Sequence, residues 1–238
     1  MTPLSFALQI LQTFPPLDWA ALALFFFGWV LYAQFARWRS RSHRTILAST
    51  NHYRWLWMHQ VTYRDQRIVD AAVVQNLSTS PSFWASTSIL ILGGLLAVLG
   101  SGERAGEVVK DLPFAQNTSM LIFDLKLLVL LAVFVYAFFR FTWSVRVYSF
   151  GALMMASAPN VAMFDRGEAS RDEFAERAGG VMGMAAESFA DGLRAYYMAF
   201  AVMAWFVSPW AFALATLAVL WVLYRREFRS DVLALLSR

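Results

Sequence analysis

The sequence predicts an all-α integral membrane protein with about five transmembrane helices. The N-terminus is placed outside, the C-terminus is cytoplasmic, and a long third helix extends into the cytoplasm. Three observations predict this class. Hydrophobic residues make up 59% of the 238-residue chain against 15% charged, with 21 Phe and 10 Trp and a mean hydropathy of +0.49. That apolar share exceeds what soluble domains carry, so lipid is the solvent for much of the surface. Second, no Gly or Pro interrupts the chain between Ser119 and Gly151; at ~1.5 Å per residue such a helix outruns a hydrocarbon core of ~30 Å. Third, Lys and Arg are concentrated in alternate connecting segments, as the positive-inside rule expects of a multi-pass chain.

The first span is expected over 19–38, with Trp19 and Trp38 as interfacial anchors. The second covers 83–100 and the third 120–139. A fourth at 189–207 turns tightly through Ser208, Pro209 and Trp210 into a fifth at 211–224, where Arg225 and Arg226 reach the interface by snorkelling. Residues 1–36 hold no Lys or Arg, 37–81 hold seven, 101–118 hold two (Arg104 and Lys110), 140–194 hold six and 225–238 hold four. The cytoplasmic segments are therefore 39–82, 140–188 and 225–238. They are too short for a separate soluble domain, and 1–238 reads as a single membrane domain.

With no Lys or Arg before Arg37 there is no cationic region of a cleavable signal, and the first span is expected to be retained. The chain has no Cys, which removes disulfides, thiolate metal sites and thiol nucleophiles. Its net charge of +4 and pI near 9.6 come from bases beside spans, an arrangement that topology explains and that calls for no nucleic acid.

In the first inner segment Asn51 is expected to cap an interfacial helix whose Tyr53, Trp57 and Val61 share a face. In the second, Ser170 and Glu173 have capping-box spacing, and Gly179 and Gly180 suggest a break or bend before the fourth span, or a close packing contact. No long repeat or coiled-coil heptad run is read from the pattern.

The candidate residues are the charges near or within spans. Lys126, Val133 and Arg140 recur every seven residues on the third helix. Two cations on one face could line an oligomeric anion pathway; equally, Lys126 can snorkel outward and Arg140 can sit among inner headgroups. Glu187, Asp191 and Arg194 share a face of the fourth helix. They read either as an ion or proton site or as an Asp191 to Arg194 pair joined by Arg140 or Arg146 from the third helix. His52 and His59 are weak interfacial candidates, two turns apart and unable to share one metal on a straight helix. His43 joins them in the same segment. No catalytic, cofactor or metal constellation is present in the pattern.

Several strings resemble the uncharacterised membrane family called domain of unknown function family 599. They are RDQRIVDAAVVQNLSTSPSFWASTSILILGG, DLKLLVLLAVFVYAFFRFTWSVRVYSFGALMMASAP, SFADGLRAYYMAFAVMAWFVSP and LYRREFRSD, which together cover most of the chain after residue 60. The resemblance implies a multi-pass topology and a bacterial-type inner (plasma) membrane. It also implies importance for Arg64, Asp70, Asn76, Lys126, Arg140, Trp143, Arg146, Arg194, Tyr196, Arg226 and Glu227. It carries no biochemical activity.

The leading functional expectation is an oligomeric channel or transporter for an ion or small anion. The alternative is a non-catalytic scaffold or assembly factor that binds membrane lipids or another membrane protein. A lipid-modifying enzyme using His52, His59 or Asp65 ranks last. A homo-oligomer is expected, because five short spans leave little room for a pathway in one subunit.

Overall fold

The computed structural model describes residues 15–42, 45–101 and 120–236, and every regular element among them is helical. The helices are α1 (Pro16–Ser42), α2 (Ile46–Val61), α3 (Ile68–Gly100), α4 (Met120–Ala156), α5 (Val161–Asp165), α6 (Arg171–Trp205), α7 (Pro209–Phe228) and α8 (Asp231–Leu236). His43, Arg104 and Lys110 lie outside the described residues. Three helices are long and apolar enough to cross a membrane: Pro16–Arg39, Ile68–Gly100 and Met120–Ala156. The expected fourth span ends two residues past α6 and the fifth lies inside α7; neither helix is among those three. The short α7 ends in Arg225 and Arg226, which lower its hydropathy, and the composition of α6 follows from its packing. α6 is largely buried, and a helix shielded by its neighbours can carry Ala, Gly and polar residues that a lipid-facing one cannot.

Local chemistry sets most helix ends. The Thr45 hydroxyl accepts the Ala48 N–H and starts α2, so Asn51 is not the cap. Asn51 sits within the helix, its Oδ1 accepting from Arg54, and the buried face of α2 is built on Met58 and Val61. Ser170 Oγ accepts from the Glu173 N–H at the start of α6. Ser208 Oγ accepts from the Ala211 N–H, and Pro209 occupies the first helical position of α7, where its missing N–H costs nothing. Gly167, at φ +75°, makes the turn between α5 and α6 in a region that L side chains rarely enter.

The helices run longer than the spans read within them, most of all at the starts of α3 and α6. α3 begins at Ile68, not Phe83, and carries Pro81 inside it. The run of Ser and Thr around the expected start of the span bonds back onto its own helix: Ser78 and Thr79 to the Gln75 carbonyl, Ser82 to that of Ser78, Ser86 to that of Ser82. Hydroxyls satisfied this way can face lipid. α6 runs unbroken through Gly179, Gly180 and Gly183, correcting the expected bend.

The chain divides into two compact units. Of the described residues, unit 1 takes 15–38, 90–101, 120–135 and 195–224, and the long helices contribute their other parts to unit 2, which takes 39–42, 45–89, 136–194 and 225–236. In unit 1 the fully buried Phe25, Trp205 and Phe212 form the centre, with Trp205 stacked on Phe212 at 4.8 Å and Phe25 5.2 Å from Phe212. A Cβ on Gly28 would come within 2.9 Å of Leu220, so α1 and α7 approach closely there. The core of unit 2 joins Met58 and Val61 of α2, Val74 of α3, Val147 of α4 and Ala178 and Met182 of α6. A Cβ on Gly179 would lie 3.0 Å from the Trp55 backbone, and one on Gly183 3.0 Å from Asn51 Oδ1. The glycines make a flat track for α2.

Candidate functional site: charges buried between helices

In unit 2, α6 presents Asp191 and Arg194 one turn apart, and Arg194 Nη1 reaches Asp191 Oδ1 at 2.7 Å. α4 brings Arg140, whose Nη2 lies 2.5 Å from Asp191 Oδ2. α7 contributes Glu227, whose Oε2 stands 3.7 Å from Arg194 Nη2. Asp191 is 4% exposed and Arg194 8%, while Arg140 and Glu227 are half-buried, so the four groups form a charge-balanced set with its centre desolvated. Burial of this kind is tolerated only when each charge is matched. Here both carboxylate oxygens of Asp191 are engaged by guanidinium groups. One donor is left over: Arg140 Nε is buried without a hydrogen-bond partner.

Two contacts hold α4 and α6 in register for this cluster. A Cβ on Gly192 would meet the Phe141 ring at 2.5 Å, so only a glycine lets that ring lie beside Asp191. Ser144 Oγ donates to the Ala185 carbonyl at 2.7 Å, fully buried. Glu187 is half-buried on α6, one turn before Asp191. Arg146 does not join the set; it is exposed on α4.

Lys126 belongs to unit 1 and is 3% exposed. Its Nζ donates to the Trp205 carbonyl at 2.9 Å and lies 5.5 Å from the centre of the Trp205 ring. Trp205 in turn donates its indole N–H to Asp18 Oδ1 at 2.5 Å. The carbonyl of Trp205 sits in the last turn of α6, where helix carbonyls lack intrahelical donors, so the ammonium fills an open acceptor. Val133 is buried as well, and the Lys126, Val133 and Arg140 positions of α4 all meet neighbouring helices of the same chain.

A third set lies around the start of α3. Asp70 is 2% exposed; its Oδ1 accepts from Trp57 Nε1 and Arg64 Nη1, each at 2.7 Å, while Oδ2 is buried without a partner. Arg67 donates to the carbonyls of Ala158 and Pro159. Arg171 donates to the Thr62 carbonyl, pairs with Asp165 and stacks 4.0 Å over Tyr63. Arg54 of α2 is held below its ordinary pKa by burial, with the neighbouring Tyr148 hydroxyl acting the other way.

His52 and His59 flank the Trp55 indole, both stacked on it, and His59 Nε2 is 3.4 Å from Asp172 Oδ1. Among the described residues no group of three or more His, Asp or Glu is arranged to hold a metal ion.

The spacing on α6 brings Asp191 and Arg194 into view from sequence. Asp18, Trp205 and Ser144 are missed, because each is matched by a group far away in the chain. The one available signal for Asp18 is an acid directly before the apolar run that starts at Trp19.

A family model described as "Protein of unknown function, DUF599" matches residues 20–232. No curated protein and no solved structure matches the chain.

Proposed function

We propose a function from one premise: the chain belongs to the DUF599 family, whose description assigns no activity. The reading is a multi-pass protein of a bacterial-type inner membrane, with five spans, the N-terminus outside and the C-terminus inside, acting as a non-catalytic scaffold or assembly factor. Its partners are membrane lipids, further copies of itself and another membrane protein. One observation carries this reading. The charges buried between the long helices are spent on partners within the chain: Lys126 on the Trp205 carbonyl, and Asp191 on Arg140 and Arg194, with Glu227 beside Arg194. A permeation pathway needs side chains with ligating capacity left for the permeant species; a packed support needs them satisfied.

The second reading, an oligomeric channel or transporter for an ion or small anion, draws on Arg140. Its unmatched buried Nε supplies one free donor beside a charged cluster. Proteoliposomes holding the purified chain separate the two readings. The scaffold reading expects no flux of chloride or potassium under salt gradients or voltage, and a membrane protein that co-purifies in fixed stoichiometry after gentle extraction. Flux that falls on Arg140→Gln would replace it with the transport reading.

A further inference from the structure

One face of α4 is largely exposed. Tyr136, Phe139, Trp143, Phe150 and Leu153 are 40, 62, 50, 44 and 66% exposed, and Arg146 is exposed among them. Spacings of three and four put all six on one stripe of the helix, and all belong to unit 2. Within this stripe Arg146 is the only charge. Neither Arg146 nor the Trp143 indole N–H makes a hydrogen bond or ion pair among the described residues, in contrast to Arg140 one face away, which is bonded to Asp191. Two unclaimed donors therefore stand on adjacent turns, roughly 5–6 Å apart at their Cβ atoms, between aromatic rings above and below.

Depth along the helix bears on what they meet. With Met120 at one edge of the hydrocarbon, Trp143 and Arg146 lie ~35 and ~39 Å along the axis. That is beyond a core of ~30 Å and, with a tilt of ~20°, within the headgroup layer on the far side. A second copy is a poor occupant of this stripe. Copies in one membrane share their orientation, so pairing along α4 would set Arg146 against its own counterpart. An anionic phospholipid fits both parts of the face: acyl chain on Phe139 and Trp143, phosphate on the Arg146 guanidinium and the indole N–H.

We propose that Trp143 and Arg146 form a binding site for the phosphate of an anionic phospholipid. It rests on the membrane part of the scaffold reading, that Met120–Ala156 is a span, and names the lipid class that this surface holds.

The test is native mass spectrometry of the full chain released from detergent micelles, titrated with phosphatidylglycerol or with phosphatidylcholine of the same acyl chains. The expected result is preferential retention of phosphatidylglycerol, with the titration midpoint moved about fivefold by Arg146→Gln and moved in the same direction by Trp143→Phe. Arg177→Gln, at an exposed arginine already paired with Glu173, leaves the midpoint in place. Equal retention of the two lipids overturns the proposal, as does an Arg146→Gln chain that behaves like the parent or like Arg177→Gln. Loss of bound lipid to millimolar inorganic phosphate would assign the site to free phosphate and likewise overturn it. Flux assays on the same preparation keep the two readings apart: flux with the lipid preference intact defeats only the scaffold, and equal retention without flux defeats only the lipid site.

Discussion

Asp191 carries a charge that α6 alone cannot satisfy in a buried position. Arg194, three residues on, takes one oxygen, and the other depends on Arg140 from α4. The i, i+3 pair is legible in the sequence because helix geometry alone places it. The Arg140 contact was one of two options, Arg140 or Arg146, since both lie on the same helix and only packing decides which faces inward. Replacing Asp191 with Asn leaves two guanidinium groups largely buried against a neutral amide. The expected cost is ~3–5 kcal/mol, the range for breaking one side of a buried ion pair, read as a lower unfolding midpoint in detergent. Because the residues share one network, the Arg140→Gln, Asp191→Asn double variant should lose less than the sum of the two single losses. Additive losses would mean that the two side chains act independently.

At the scale of elements, α6 shows where pattern reading fails and why. Gly179 and Gly180 look like a break because glycine disfavours helix through backbone entropy. The helix continues because Gly179 faces α2, where a Cβ would sit 3.0 Å from the Trp55 backbone. Gly180 has nothing within 4 Å of its Cβ position. The two neighbours therefore respond oppositely to one substitution. Gly179→Ala is expected to destabilise by ~1–3 kcal/mol, since backbone atoms cannot move aside as a side chain would. Gly180→Ala is expected to be neutral or to stabilise by up to ~1 kcal/mol, the difference in helix propensity. Thermal unfolding of the two variants side by side checks this, and matching shifts would remove the packing explanation. The same logic covers α3, which extends ahead of the expected start at Phe83 because its serines and threonines bond to their own helix. Short polar side chains signal a turn only where their hydroxyls have no helical carbonyl to bind.

For the whole molecule, helical class and a membrane-like composition are legible without coordinates, because a ~30 Å apolar requirement leaves a coarse mark on any chain that meets it. The number of crossings is less legible. α6 owes its small and polar residues to burial among other helices, and the short α7 ends in Arg225 and Arg226, so hydropathy understates both, while the distribution of Lys and Arg favours two more crossings. The turn between α6 and α7 decides the matter. Five spans place Val207, 49% exposed in that turn, on the outer side. Three spans leave it on the inner side together with Ser230. The native chain has no Cys, so a single Val207→Cys substitution gives one reactive thiol without background. In intact cells with a permeabilised outer layer, a membrane-impermeant maleimide is expected to label Val207→Cys and to spare Ser230→Cys until the inner membrane is opened. Labelling of both only after opening would reduce the protein to three crossings and place the α6–α7 turn in the cytoplasm.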